Sequence, residues 1–299
     1  MIQALNVTKK FENMLAVDNV SATIKNGNVF GLIGTNGAGK STFLRMISGI
    51  LKPDSGSIKI NDKDVFDNPE VKSKFFYISD EQFFFSNSTP QDMKNYYKTI
   101  YKNFDVDRYK KLMGSFNLDE KRKIKTFSKG MKKQVSVICG ICAKTDYLFC
   151  DETFDGLDPV VRQAVKSLFA QDIEERNLTP VIASHNLREI EDICDNIGLL
   201  HRGGMLLSKD LDELKLDIHK VQIVFKEGIP KDIYNNLDIM KTESRGSLNV
   251  LTIKGNMEYI NGYLASLNPI FFEMLPLSLE EIFIAETEGI GYDIKSLII

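Results

Sequence analysis

Eight residues, Gly34-Thr35-Asn36-Gly37-Ala38-Gly39-Lys40-Ser41, set glycines, a lysine and a hydroxyl at the spacing G-x-x-x-x-G-K-[ST]. The glycines let successive backbone amides turn inward with no Cβ in the way, and a helix starting at the lysine adds the positive end of its dipole. Such a turn cradles phosphates. Lys40 would reach the outer phosphates, and the Ser41 hydroxyl would ligate Mg²⁺. The motif has meaning only between a strand and a helix. Val29-Phe30-Gly31-Leu32-Ile33, a near-continuous apolar run, supplies the first, and Thr42-Phe43-Leu44-Arg45-Met46-Ile47 supplies the second.

Two carboxylates directly follow another apolar run. Asp151 and Glu152 come after Tyr147-Leu148-Phe149-Cys150, so they stand at a strand end rather than on an ordinary solvated loop. Asp151 is the expected partner of a Mg²⁺ shell, and Glu152 could orient and polarise a water for attack on phosphorus. His185 follows Val181-Ile182-Ala183-Ser184 and would sit at the same edge of the sheet. A fourth stretch, Phe127-Ser128-Lys129-Gly130-Met131-Lys132-Lys133-Gln134, reads as a helix start with Ser128 as its N-cap. Lys129, Lys132 and Lys133 would form a solvated face, although lysines at that end oppose the macrodipole. The arrangement makes sense if the helix start meets an anion.

These residues need a scaffold. Residues 1 to about 30 alternate apolar and polar, as one-sided antiparallel strands do. The runs at 29–33, 147–150 and 180–183 read as strands buried on both faces, which carry ligand loops at their C-terminal edge. Between them, residues from about 82 to 145 are polar and aromatic-rich and predict helices over 92–101, 107–116 and 129–143, an inserted helical subdomain. After about residue 215 the pattern changes to strands around polar turns, with Ser278-Leu279-Glu280-Glu281 as a capping box for a last helix. The expected division is therefore 1–215 and 216–299, the second part a small α+β appendage.

Composition excludes several classes. Hydrophobic residues are 43% and charged residues 26% of 299, and the net charge is −3, ordinary for a globular chain and without the basic face or arm of a nucleic-acid binder. No apolar run reaches the ~18–20 residues of a membrane span, and the N-terminus lacks the marks of a secretion signal; a cytoplasmic location is expected. Cys139 and Cys142 lie inside an apolar helical stretch and read as buried core, not a redox or metal pair.

Taken in order, these pieces resemble the ATP-binding subunit of an ABC transporter over roughly residues 1 to 215. Phe11 matches the aromatic that stacks on adenine. Gly34, Asn36, Gly37, Ala38, Gly39, Lys40, Ser41 and Thr42 match the P-loop. Phe127 to Met131, with Ser128 and Gly130, match the signature usually written LSGGQ. Asp151 and Glu152 match Walker B and the catalytic glutamate, Asp155-Gly156-Leu157-Asp158 the D-loop, and His185 the switch histidine. The resemblance implies an α/β, RecA-like P-loop NTPase core with an antiparallel β subdomain and the helical insertion. It implies ATP and Mg²⁺ as ligands, with Ser41, Asp80 and Asp151 on the metal and Phe11, the P-loop, Ser128, Gly130 and Asp158 on the nucleotide. Two subunits, identical or not, would sandwich two ATP molecules, and a separate membrane permease would be driven, for export of a peptide, drug or lipid-like cargo.

The chain departs from that pattern at three places. Asp80 stands where the Q-loop has glutamine, Thr153 where proline usually follows the catalytic glutamate, and Lys129 replaces the first signature glycine. SKGM variants are familiar in bacterial drug, lantibiotic and peptide exporters. Phe83-Phe84-Phe85 with Tyr96-Tyr97 are either the groove for the permease or core aromatics of the helical subdomain. The competing readings are a soluble ABC-type binding factor, and a catalytically weak ATP-binding half of a heterodimer.

Overall fold

The computed structural model of the chain describes residues 1–288 and divides into two compact units between Ser208 and Lys209. The first unit is built on two sheets. Strands β1 (Ile2–Phe11), β2 (Met14–Ile24), β4 (Ser55–Ile60) and β5 (Lys63–Asp64) form an antiparallel sheet in the order β2-β1-β4-β5. Ile2, Ala4 and Val7 are buried while Leu5 is exposed. The alternation shifts register where Asn6 takes a positive φ of 51°, the local signature of a bulge.

The second sheet has six strands: β3 (Phe30–Ile33), β6 (Phe75–Ile78), β7 (Tyr147–Asp151), β8 (Thr179–Ser184), β9 (Asn196–His201) and β10 (Gly204–Asp210), in the order β10-β9-β3-β8-β7-β6. The pairs β9/β3, β3/β8, β8/β7 and β7/β6 are parallel. Every residue of β3, β7 and β8 is buried, as two covered faces require. Periodicity alone brings out three of these strands. β6 is only four residues long and β9 carries Gly198 in its middle, so neither separates from a buried helical stretch by pattern.

Helix α1 (Lys40–Ile47) follows β3, and its Phe43, Leu44, Met46 and Ile47 are sealed into the core shared with Val17, Leu32, Phe149, Val181 and Leu200. Burial of each such side chain contributes about 1.5–3 kcal/mol, enough to hold the preceding loop in one place. A short helix, α2 (Pro69–Lys72), precedes β6. The inserted segment carries α3 (Pro90–Ile100), α4 (Val106–Ser115) and α5 (Lys129–Cys142). Helix α3 starts earlier than the apolar pattern suggests, because Thr89 and Asp92 close a capping box and Pro90 takes the first turn. Asp172 of α6 (Pro159–Arg176) is wholly buried between Arg108 of α4, 2.5 Å away, and Arg176, 2.9 Å away, which ties the insertion to the core. Helix α7 (Leu187–Glu191) follows β8.

All four cysteines are free and buried. Burial pushes the Cys142 thiol up to about 12 and Cys139 well above its ordinary value, so both are inert core side chains.

The second unit opens with α8 (Leu211–Asp217), which belongs with it rather than with the first unit. Strands β11 (Ile218–Val224), β12 (Asp238–Arg245), β13 (Leu248–Lys254) and β14 (Phe271–Leu275) pair antiparallel in the order β12-β13-β11-β14. Helices α9 (Ile233–Asn236) and α10 (Met257–Ser266) bring Ile233, Ile260 and Leu264 into its core with Val221, Ile223, Leu251 and Ile253. Helix α11 (Leu279–Glu288) begins at the box anticipated from sequence: Ser278 N donates to Glu281 Oε2 at 3.1 Å, and Glu281 N returns to Ser278 Oγ at 3.3 Å. Among the described residues no helix is long and apolar enough to cross a membrane.

Candidate functional site

The loop between β3 and α1 is a tight turn over the end of the parallel sheet. Gly37 and Gly39 take φ of 78° and 101°, conformations that favour glycine. A Cβ on Gly39 would lie 2.3 Å from the Ala16 carbonyl oxygen of β2, so the antiparallel sheet closes the loop from one side. Lys40, 6% exposed, folds back over the turn and donates to Gly34 O at 2.8 Å and Thr35 O at 3.2 Å. Burial lowers its pKa, and the nearby Glu152 and Asp151 charges act the other way.

Ser41 starts the helix next to that lysine and donates its hydroxyl to Asp151 Oδ1 at 2.8 Å. The other Asp151 oxygen accepts from the Tyr77 hydroxyl at 3.1 Å. Asp151 is 1% exposed, and burial pushes its carboxyl up, partly offset by the Ser41 and Tyr77 hydrogen bonds and the Arg45 charge. A hydroxyl and a hard carboxylate oxygen facing each other fit Mg²⁺ chemistry. Asp80 is not part of this pair. Its Oδ1 lies 3.3 Å from Lys133 Nζ, and the loop behind it is fastened by the Gln82 amide, which donates to Ser79 O and Asp80 O. Among the described residues no three His, Cys, Asp or Glu side chains cluster as metal ligands do.

Glu152 takes φ 47° at the end of β7. Its Oε1 stands 3.7 Å from Lys40 Nζ and its Oε2 2.8 Å from His185 Nδ1. The strand order β3-β8-β7 makes this possible, since it sets the ends of three strands side by side. Lys40, Asp151, Glu152 and His185 are thus brought together.

The other sequence candidates lie around them. Phe11 is 41% exposed at the tip of the β1–β2 hairpin, with Lys9 Nζ 5.7 Å from its ring centroid. Asn36 and Gly37 are exposed, Ala38 is buried, and Thr42 is half-buried. Asp158 caps α6, its Oδ1 accepting from Val160 N and Val161 N at 3.1 and 3.0 Å. Ser128 caps α5 as expected, accepting from Met131 N at 3.2 Å. Gly130 packs so closely on the turn after Glu152 that an added Cβ would meet Gly156 O at 2.9 Å. Lys129 pairs with Asp155 at 2.9 Å and holds its carboxyl below the ordinary range.

Besides the expectation of Asp80 beside Ser41 and Asp151, a second one is overturned. Lys133 is not on a solvated face; its side chain has no exposure and meets Glu152 O, Asp80 and Asp155. The spacing carried a signal, for Lys129 and Lys133 are four apart and share a helix face. Two like charges there need carboxylates opposite. Tyr77 and the pair Arg162–Glu189, 2.9 Å apart, were also not legible, because nothing local marks them.

A family model described as ABC transporter matches residues 17–155. The chain is 32% identical over 289 residues to the ABC transporter ATP-binding protein YtrB of Bacillus subtilis (strain 168), covering 97% of this chain and 99% of that one. It is 31% identical over 219 residues to the bacitracin transport ATP-binding protein BcrA of Bacillus licheniformis, covering 72% and 71%. A solved ATP-binding subunit of an ABC transporter superposes with a TM-score of 0.66 at 26% identity, covering 72% of this chain and 92% of that one. Similarity along almost the whole of both chains, on this fold and with this loop, places the protein in the family of ABC transporter ATP-binding proteins.

Proposed function

We propose that the protein is an ATP-hydrolysing motor subunit that pairs with a second such subunit around two ATP molecules and drives a separate membrane permease. The observation that carries this is the convergence of Lys40, Ser41, Asp151, Glu152 and His185 at one sheet edge. The loop amides and Lys40 bind the β- and γ-phosphates, and Phe11 meets the base. Ser41 and Asp151 would hold Mg²⁺, which neutralises phosphate charge. An arriving phosphate draws Lys40 from the Gly34 and Thr35 carbonyls and from Glu152. The Glu152 carboxylate, steadied by His185, then orients water for in-line attack on the γ-phosphorus. The water's proton passes to Glu152 as the bond to the leaving ADP oxygen breaks.

Ser128, exposed at the start of α5, and the half-buried Gly130 beside it would face the γ-phosphate of the partner subunit's ATP. Hydrolysis removes that anion, and differential binding of the two states makes the nucleotide a switch. The first unit, to Ser208, acts as the ATPase part, and the second, from Lys209 rather than from about residue 216, as an appendage. The docking face for the permease is the aromatic cleft of the insertion, about 280 Å³, where Phe83, Phe85 and Tyr96 are exposed and stack edge to face. The protein would then work on the inner face of the membrane. The transport name of the BcrA relative supports the transport reading, and a peptide, drug or lipid-like cargo is the proposed class, moved outward.

The test is Glu152→Gln. It should bind ATP as the wild type does, lose turnover by about 10²-fold or more, and form an ATP-dependent dimer on size exclusion. Undiminished hydrolysis would remove Glu152 from the mechanism.

A further inference from the structure

We propose that Lys133 is a positioning residue: its buried ammonium holds the backbone turn from which the Glu152 carboxylate is aimed, and couples that turn to the start of α5. The inference rests on the reading of Glu152 given above.

The Lys133 side chain is fully buried, a state that an ammonium tolerates only with acceptors around it. Three are supplied by two separate loops. Nζ donates to Glu152 O at 2.5 Å, and it faces Asp80 Oδ1 at 3.3 Å and Asp155 Oδ2 at 3.9 Å. The carbonyl it grips belongs to a non-glycine residue with φ 47°, a backbone conformation that needs outside support. Asp155 N also reaches that carbonyl, at 3.3 Å, but a charged donor is the stronger of the two. Orienting this peptide decides the direction in which the Glu152 side chain leaves the strand. From there it meets Lys40 and His185.

The same lysine sits one turn after Lys129 on α5, whose first turn packs on Gly156. A shift of the helix start therefore pulls on the Glu152 turn through a side chain that has no freedom to swing. Asp80 is half exposed and Asp155 keeps Lys129. Removing the Lys133 charge thus strands no carboxylate in the interior, so the substitution reads positioning rather than collapse.

The experiment compares wild type, Lys133→Met, Lys133→Arg, Glu152→Gln and the double variant Lys133→Met/Glu152→Gln. Steady-state hydrolysis, equilibrium binding of labelled ATP and amide hydrogen exchange of the nucleotide-free proteins are measured. Lys133→Met should lower kcat by about 10- to 100-fold, as misplacement of a reacting group does, with ATP affinity unchanged. Its amides over residues 150–156 should exchange faster, and Lys133→Arg should recover part of both effects. Because the lysine acts through Glu152, the double variant should be no slower than Glu152→Gln alone. Wild-type kcat and exchange in Lys133→Met, beside an inactive Glu152→Gln, would overturn the role of Lys133 while leaving Glu152 in place. So would losses that multiply in the double variant, or a fall in binding and turnover together that arginine does not relieve. Full activity in Glu152→Gln would overturn the reading of Glu152 and the role of Lys133 with it. Should Lys133→Met fold poorly, Lys133→Gln, which keeps an amide donor, takes its place with the same outcomes.

Discussion

Gly37 and Gly39 differ by two positions in the loop yet should respond very differently to alanine. Both have positive φ, 78° and 101°. An alanine there costs about 1–2 kcal/mol in backbone strain and recovers about 0.4–1 kcal/mol from the stiffer unfolded chain. The second term is common to both, and the first is the larger at Gly39, whose φ lies further from the left-handed region. At Gly37 a Cβ meets nothing within 4 Å; at Gly39 it would lie 2.3 Å from Ala16 O. That atom is backbone, not the far end of a flexible side chain, and although Ala16 is the extra residue where the β1–β2 register shifts, its neighbours are paired, Val17 opposite Lys9 and Leu15 opposite Lys10, so it yields only by moving the strand. The difference between the variants is therefore at least the collision, about 1–3 kcal/mol for overpacking a packed site, or roughly 5- to 150-fold in the folding equilibrium. Urea unfolding followed by circular dichroism should show a lower midpoint for Gly39→Ala than for Gly37→Ala with the same slope. If the loop escapes by lifting off β2, the stability gap closes and binding of labelled ATP is lost in Gly39→Ala. Equal stability together with equal ATP affinity in the two variants would refute the account of the cradle as a turn clamped by the antiparallel sheet.

Ser128→Arg should bind ATP as a monomer and fail to hydrolyse it, losing also a helix cap worth about 0.5–2 kcal/mol; full turnover there would contradict a site shared between subunits. Asp172→Ala leaves Arg108 and Arg176 without their common buried partner and should destabilise the chain by about 3–5 kcal/mol, with a change near zero in chemical denaturation counting against the anchor. Asp151 has its pKa raised by burial, so its stabilising contribution is full below the ordinary carboxylate value of about 3.9 and is lost as pH rises through the raised folded value. In the nucleotide- and metal-free protein, Asp151→Asn should therefore gain Tm relative to the wild type as pH rises from acid toward neutrality, and a difference that stays flat with pH would show that the carboxylate is not penalised.

What the sequence determined by itself is the local chemistry. The Gly34–Ser41 loop, the capping box at Ser278 and the carboxylates after β7 depend on neighbours within a few residues, so composition and spacing express them directly. Likewise the runs at β3, β7 and β8 announce themselves because strands covered on both faces must be apolar at every position. The tertiary structure alone decided which of these pieces meet. Ser41 and Asp151 are 110 residues apart, and Glu152 reaches a histidine 33 positions on, only because β3, β8 and β7 lie in that order with parallel register. Asp80 faces a lysine instead of standing beside Ser41 and Asp151, and Lys133 is buried instead of solvated. In both cases the deciding factor is a charge supplied by a distant segment; the spacing of Lys129 and Lys133 asks for carboxylates opposite but does not say which ones. The desolvation cost of a buried ammonium is met only after α5 packs against the turns that follow β6 and β7.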